Sequence, residues 1–90
     1  MNLDEIRLQI DGVDSELLKL FCKRMELVKD VAEYKIENDM PVFRPERENE
    51  ILNRASESAG EEFGDYAKDF FKCIMKVSRE MQQKIIDSRS

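Results

Sequence analysis

A basic side chain interrupts an apolar stripe in the first third of the chain. The stripe follows the three-and-four spacing of a heptad repeat and comprises Leu3, Ile6, Ile10, Val13, Leu17, Leu20, Leu27, Val31 and Tyr34. The seven-residue step from Leu17 reaches Arg24 before the stripe returns at Val31. Because a buried guanidinium without a partner costs several kcal/mol, Arg24 needs an anion, either a carboxylate of the protein or a ligand.

A second cation follows on the same predicted helix. Lys35 comes 11 residues after Arg24, which places it about 20° around the helix and about 16 Å along its axis. The two long side chains can therefore converge on one small anionic molecule.

Polar residues also occur on the apolar sides of the later segments. Glu48 precedes Ile51 and Leu52 by three and four residues, and Arg47 is its neighbour. Further along, an i,i+4 pair shares a strip with Phe71, Met75 and Ile85; this pair is Ser78 and Gln82. Two interpretations remain open: a pocket for an anionic ligand, or a buried Arg24–Glu48 ion pair with Ser78 bonded to its own backbone.

Composition excludes several kinds of chemistry. The chain has no histidine, which removes histidine-based nucleophile activation, histidine acid–base catalysis and every histidine-ligated metal site. Its formal net charge of -5 argues against nucleic acid as a partner. Cys22 and Cys73 have no CxxC spacing and are predicted to be core residues.

The location is predicted from what the sequence does not contain. No uncharged run approaches the ~18 residues of a membrane span, so no membrane association is expected. The first residues are acidic and lack the basic and apolar regions of a signal peptide, which predicts a cytoplasmic protein.

The elements that must position these residues are all helical. Ninety residues have room for one domain, 1–90, and few glycines or prolines interrupt the pattern. We predict three helices: a long one from about Leu3 to Asn38, capped by Asn2 and Glu5; a short one that begins after Pro41–Pro45 and stops at Gly60; and a medium one from near Gly64 to about Ile86.

The length of the first helix predicts an intertwined homodimer. It would extend roughly 54 Å, whereas a compact chain of this size has a radius of gyration of only ~12 Å. The shorter helices cannot cover the whole stripe, so it should meet a second copy of the chain. A helical dimerisation or regulatory module without catalytic activity would also satisfy this pattern.

The ordered set of polar residues resembles the all-helical chorismate mutases. The resemblance rests on Arg7, Arg24 and Lys35, then on Pro41-Val42-Phe43-Arg44-Pro45-Glu46-Arg47-Glu48, then on Ser78-x-x-x-Gln82-Gln83. It spans nearly the whole chain. It implies three helices per protomer, an intertwined dimer with two pockets, and conversion of chorismate to prephenate without metal or cofactor.

The resemblance also implies a role for each residue. Arg24, Arg47 and Ser78 bind substrate carboxylates, and Arg7 reaches the pocket of the other protomer, since it is about 25 Å along the helix from Arg24. Lys35 and Gln82 bond the ether oxygen of the breaking C–O bond, and Glu48 bonds the ring hydroxyl. Many members carry Asp where Arg44 stands, so we assign no contact to Arg44.

Such a reaction agrees with the lack of histidine. A Claisen rearrangement transfers no proton, so the pocket needs only to hold a folded substrate conformer and to stabilise charge on the ether oxygen. An isochorismate-pyruvate lyase of the same fold is the nearest alternative function. The sequence does not distinguish a free-standing enzyme from one part of a larger fused enzyme.

Overall fold

The computed structural model describes residues 1–89. These residues form two helices joined by one short connection. Helix α1 comprises Leu3–Glu37 and helix α2 comprises Pro45–Ser88. The connection, 38–44, contains Asp39, whose φ of 53° lies in the left-handed region that asparagine and aspartate tolerate better than most residues. The predicted all-α fold is therefore confirmed.

Helix α1 begins and ends close to the predicted positions. The Asn2 side chain accepts a hydrogen bond from the Glu5 backbone N–H at 2.9 Å, and the Glu5 carboxylate accepts one from the Asn2 backbone N–H at 3.4 Å. This capping box satisfies two backbone donors that the helix itself leaves unpaired. The helix ends at Glu37, with Asn38 as its C-cap.

Two helices are counted instead of the three predicted, because the second and third predicted helices follow each other directly within α2; the predicted stop at Gly60 is confirmed. Pro45 starts α2 as expected. Gly60 alone departs from helical geometry, with φ 85° and ψ 179°, so no loop separates the two parts. The break is nonetheless a sharp bend: a Cβ added to Gly64 would lie 3.0 Å from Ser56 Oγ, although residues eight apart are about 12 Å apart along a straight helix.

The core lies between the C-terminal half of α1 and α2. Its buried apolar residues are Val28, Ala32 and Met75. Every residue from 1 to 20 is exposed, and the buried and half-buried residues of α1 occur only from Phe21 onward. The prediction that Cys22 and Cys73 are core residues is wrong for the single chain, since both are exposed.

The chain is elongated, as its first helix requires. Its radius of gyration is 16.2 Å and its principal extents are 54 × 26 × 14 Å, compared with a radius of ~12 Å for a compact domain of this length. In the described part of the chain, neither helix has an apolar stretch long enough to span a bilayer.

Candidate active site

A cavity of about 410 Å³ lies where the C-terminal half of α1, the connection and both parts of α2 meet. Six of the seven predicted site residues line it: Arg24, Lys35, Arg47, Glu48, Ser78 and Gln82. The folded chain brings together residues that are far apart in the sequence: Arg24 on α1 bonds Ser78 on α2, 54 positions later. Arg7 is not among the residues that line this cavity; it is exposed in the N-terminal half of α1.

Arg24 and Ser78 form the first contact across the cavity. Arg24 Nη1 donates to Ser78 Oγ at 2.7 Å, and Ser78 Oγ donates to the Ile74 carbonyl at 2.8 Å. A hydroxyl has one proton to donate, and here the helix backbone accepts it. Ser78, which is only 5% exposed, therefore orients Arg24 through its lone pair and also makes the bond to its own backbone that the sequence had allowed.

Lys35 and Gln82 form the second contact. Lys35 Nζ donates to Gln82 Oε1 and to the Val42 carbonyl, each at 2.8 Å. An ammonium has three protons and a side-chain amide two more, so one proton of Lys35 and the amino group of Gln82 remain for a ligand. Gln82 is 6% exposed, which fixes its amide beside the cation.

Glu48 has a different partner from the one considered at first. The Arg24–Glu48 ion pair is not formed; Glu48 Oε1 instead accepts a hydrogen bond from Arg79 Nη1. Arg79 also lies over the Phe43 ring, with its Cζ 5.5 Å from the ring centroid. Arg79 was missed from the sequence, although its position four residues after Met75 and three before Gln82 places it near the inward face.

The cavity is strongly cationic although the chain is acidic. Among the residues that the structure describes, one carboxylate lines it, that of Glu48, together with five cationic side chains: Arg24, Lys35, Arg44, Arg47 and Arg79. Burial, and then the nearby Arg47 guanidinium, lowers the pKa of Arg24. Burial and then Arg44 lower the pKa of Lys35, while Glu48 acts in the opposite direction. The positive charges repel one another, and a small polyanion bound between them would relieve that repulsion.

Apolar side chains form the remaining walls. They come from all the elements around the cavity and comprise Val28, Val31, Val42, Ile51 and Met75. A few polar groups on a largely apolar wall are typical of a site for a small organic molecule. Sequence analysis did not select these positions, because apolar residues at helical spacing indicate only a packed face.

Comparison with known proteins identifies the family. The family described as chorismate mutase type II matches residues 6–83. The chain belongs to this family. The description of the family agrees with the resemblance inferred from the polar residues. The matched range contains all seven of the predicted site residues.

Named relatives of this chorismate mutase type II chain differ in length. A chorismate mutase of Methanocaldococcus jannaschii is 33% identical over 87 residues, which cover 94% of this chain and 88% of that protein. The T-protein of Haemophilus influenzae is 37% identical over 79 residues, 84% of this chain. The chain spans only about a fifth (21%) of that T-protein. No solved structure matched the chain with significance.

Proposed function

We propose that this chain is a chorismate mutase that rearranges chorismate to prephenate. The observation that carries the proposal is the Lys35–Gln82 pair on the wall of a cationic cavity: a cation and an amide, 2.8 Å apart, that both have protons left to donate to one oxygen atom. Membership of the chorismate mutase type II family supports the same activity.

The reaction requires positioning and charge stabilisation rather than proton transfer. As the ether C–O bond lengthens, negative charge accumulates on its oxygen. Lys35 Nζ and Gln82 Nε2 donate to that oxygen and stabilise it more strongly in the transition state than in the ground state. Because this step transfers no proton, a chain without histidine can catalyse it.

The remaining residues hold the reactive conformer of the dianion. Arg24 and Arg47 bind its carboxylates, and Glu48 accepts a hydrogen bond from the ring hydroxyl. Ser78 fixes the Arg24 guanidinium; it donates to a carboxylate itself only if its hydroxyl leaves the Ile74 carbonyl. The free molecule loses entropy when it adopts the folded conformer in water. In the pocket, binding of both ends of the substrate offsets this loss before the reaction begins.

The working unit is a homodimer in which Arg7 acts in trans. Support comes from the exposed stripe of α1, whose members include Leu3 at 57%, Ile10 at 51% and Leu17 at 43% exposure. Exposed apolar surface on this scale marks an interaction site. Arg7 is about 25 Å from Arg24 along the same helix, so it can reach only the pocket of a second chain.

Loss of chorismate absorbance with formation of prephenate tests the activity directly. The purified chain should accelerate the rearrangement far above its spontaneous rate, and a rate equal to background would refute the proposal. Isochorismate serves as the competing substrate: faster release of pyruvate from it than of prephenate from chorismate would indicate a lyase instead.

A mixing experiment tests the contribution of Arg7 in trans. Arg7→Ala and Arg24→Ala should each be inactive alone, because every pocket of either homodimer lacks one arginine. After equimolar co-refolding, half of the dimers are mixed and each contains one intact pocket, so about a quarter of wild-type activity should return. If Arg7 acted within its own chain, no pocket would be restored.

A further inference from the structure

The ion pair between Glu48 and Arg79 joins the two parts of α2 across the cavity wall. Glu48 lies before the bend at Gly60 and Arg79 after it, and their side chains are 19% and 34% exposed. The pair is therefore partly shielded from water. Two opposite charges attract each other more strongly in such an environment than on an open surface.

Arg79 is also held by the α1–α2 connection. Its guanidinium lies 5.5 Å from the centre of the Phe43 ring, within the range of a cation–π contact. Phe43 is next to Val42, whose carbonyl accepts from Lys35. Arg79 thus bridges the connection that orients Lys35 and the carboxylate at the start of α2.

The carboxylate of Glu48 poses an electrostatic problem for this cavity. It is the one acidic group among the lining residues that the structure describes, and a dianionic substrate must bind beside it. Like charges a few ångströms apart disfavour binding unless a cation compensates them. Arg79 is the cation that contacts Glu48, and it engages Oε1 only, whereas Oε2 has no hydrogen bond to any of residues 1–89.

We propose that Arg79 is a positioning residue that neutralises Glu48 and directs its Oε2 towards the hydroxyl of the substrate. The proposal rests on the mutase function proposed above and extends it to a residue that does not itself contact the reacting atoms. Arg79 allows an acidic acceptor to serve in a pocket that must also attract a dianion.

The test compares Arg79→Met with Arg89→Met. Arg89 forms the other long-range Arg–Glu pair, with Glu33, outside the cavity, so it controls for loss of an arginine and of an ion pair. Arg79→Met should lower kcat/KM at least tenfold, chiefly through KM, because repulsion acts on the bound substrate and the transition state alike. Arg79→Lys should recover part of the loss, and Arg89→Met should match wild type.

The Glu48→Gln background separates this role from a structural one. Glutamine removes the charge that needs compensation, so Arg79→Met should cost less than about threefold there. An equal loss in both backgrounds, or an unchanged KM for Arg79→Met alone, would overturn the proposal. Far-UV circular dichroism and thermal unfolding of each variant identify one that fails to fold, in which case the Arg79→Lys comparison decides.

Calorimetric binding of a bicyclic dicarboxylate mimic of the transition state distinguishes the two proposals. A wild-type protein that binds the mimic but does not convert chorismate would refute the mutase activity alone. The Arg79→Met affinity loss, present with Glu48 and absent with Gln at that position, would still support the positioning role. No binding of the mimic by wild type would overturn both.

Discussion

Lys35 uses two of its three ammonium protons inside the protein. Its bonds to the Val42 carbonyl and to Gln82 Oε1 hold the third proton in a fixed direction. A cation that is already oriented loses little entropy when charge develops beside it, which is why such donors stabilise transition states strongly. The Val42 bond further links this proton to the shape of the connection between α1 and α2.

Lys35→Met should lower kcat by about 10²–10³, the usual effect of removing one preorganised donor. Methionine keeps the apolar stem and removes only the ammonium, so the helices should remain intact by circular dichroism. Steady-state kinetics with chorismate measure the loss. Lys29→Met is the control, because Lys29 bonds Glu26 on the exposed surface and should behave as wild type.

Arg44 should contribute, after burial, to the alkaline limit of activity through its effect on the pKa of Lys35. Lys35 acts as a cation, so kcat/KM is maintained below its pKa and falls as the pH rises through it. Burial and Arg44 lower that pKa, which brings the fall to a lower pH than an ordinary lysine would give. Arg44→Gln removes the repulsive charge and should move the alkaline limb to higher pH.

The pH profile of kcat/KM measures this shift, independently of any change in its height. Arg54→Gln is a suitable control: Arg54 is 62% exposed and pairs with Glu50 outside the cavity. An alkaline limb that stays in place in Arg44→Gln, or moves to lower pH, would show that Arg44 does not act on Lys35.

Residue spacing along a helix predicted some of the side chains that meet in the cavity and could not predict others. Arg24 and Lys35 share a face of one helix, so their convergence follows from residue spacing alone. The pairing of Glu48 with Arg79 instead depends on the angle of the bend at Gly60, which is a property of the folded chain. For the same reason the sequence predicted three helices where two are counted: Gly60 turns the chain with one non-helical residue, and no loop separates the helical parts on either side of it.

The bend at Gly60 depends on a backbone conformation that is essentially restricted to glycine. Its φ of 85° and ψ of 179° lie in a region that costs other residues about 1–3 kcal/mol. Nothing lies within 4 Å of a Cβ added there, so the cost is one of conformation and not of space. Gly64 differs, because an added Cβ would lie 3.1 Å from the Ser56 carbonyl oxygen.

Gly60→Ala should lower the free energy of unfolding by about 1–3 kcal/mol. Gly12→Ala is the matched control, since Gly12 lies within α1 with open space around it in the single chain and alanine should stabilise that helix by about 0.5–1 kcal/mol. Urea unfolding at one protein concentration measures both. A Gly60→Ala protein as stable as wild type would mean that α2 can bend without this conformation.

The elongated chain leaves the N-terminal half of α1 exposed along its whole length. Residues 1–20 are all exposed, and the longest extent of the chain, 54 Å, matches the length expected for this helix, about 52 Å. Burial of such an apolar stripe against a second copy would supply the core that one chain lacks.

Ile10→Glu combined with Leu17→Glu should produce a monomer and abolish activity, because two carboxylates would face the apolar stripe of the partner. Sedimentation equilibrium measures the mass and the chorismate assay the activity. Lys19→Glu changes the net charge by the same two units on the side of α1 opposite the apolar stripe, where Lys19 pairs with Glu16, and should leave both unchanged. A dimeric, active double variant would contradict the proposed interface.

The single-residue bend makes the cavity sensitive to chain length on one side of Gly60. Ser78 lies 18 residues beyond it, about five full turns, and each residue added to an α-helix rotates all that follows by about 100°. One residue inserted between Gly60 and Ser78 would therefore turn Ser78, Arg79 and Gln82 away from α1 together, while the fold stayed helical. The number of residues between Gly60 and Ser78 therefore fixes which side of α2 faces the cavity.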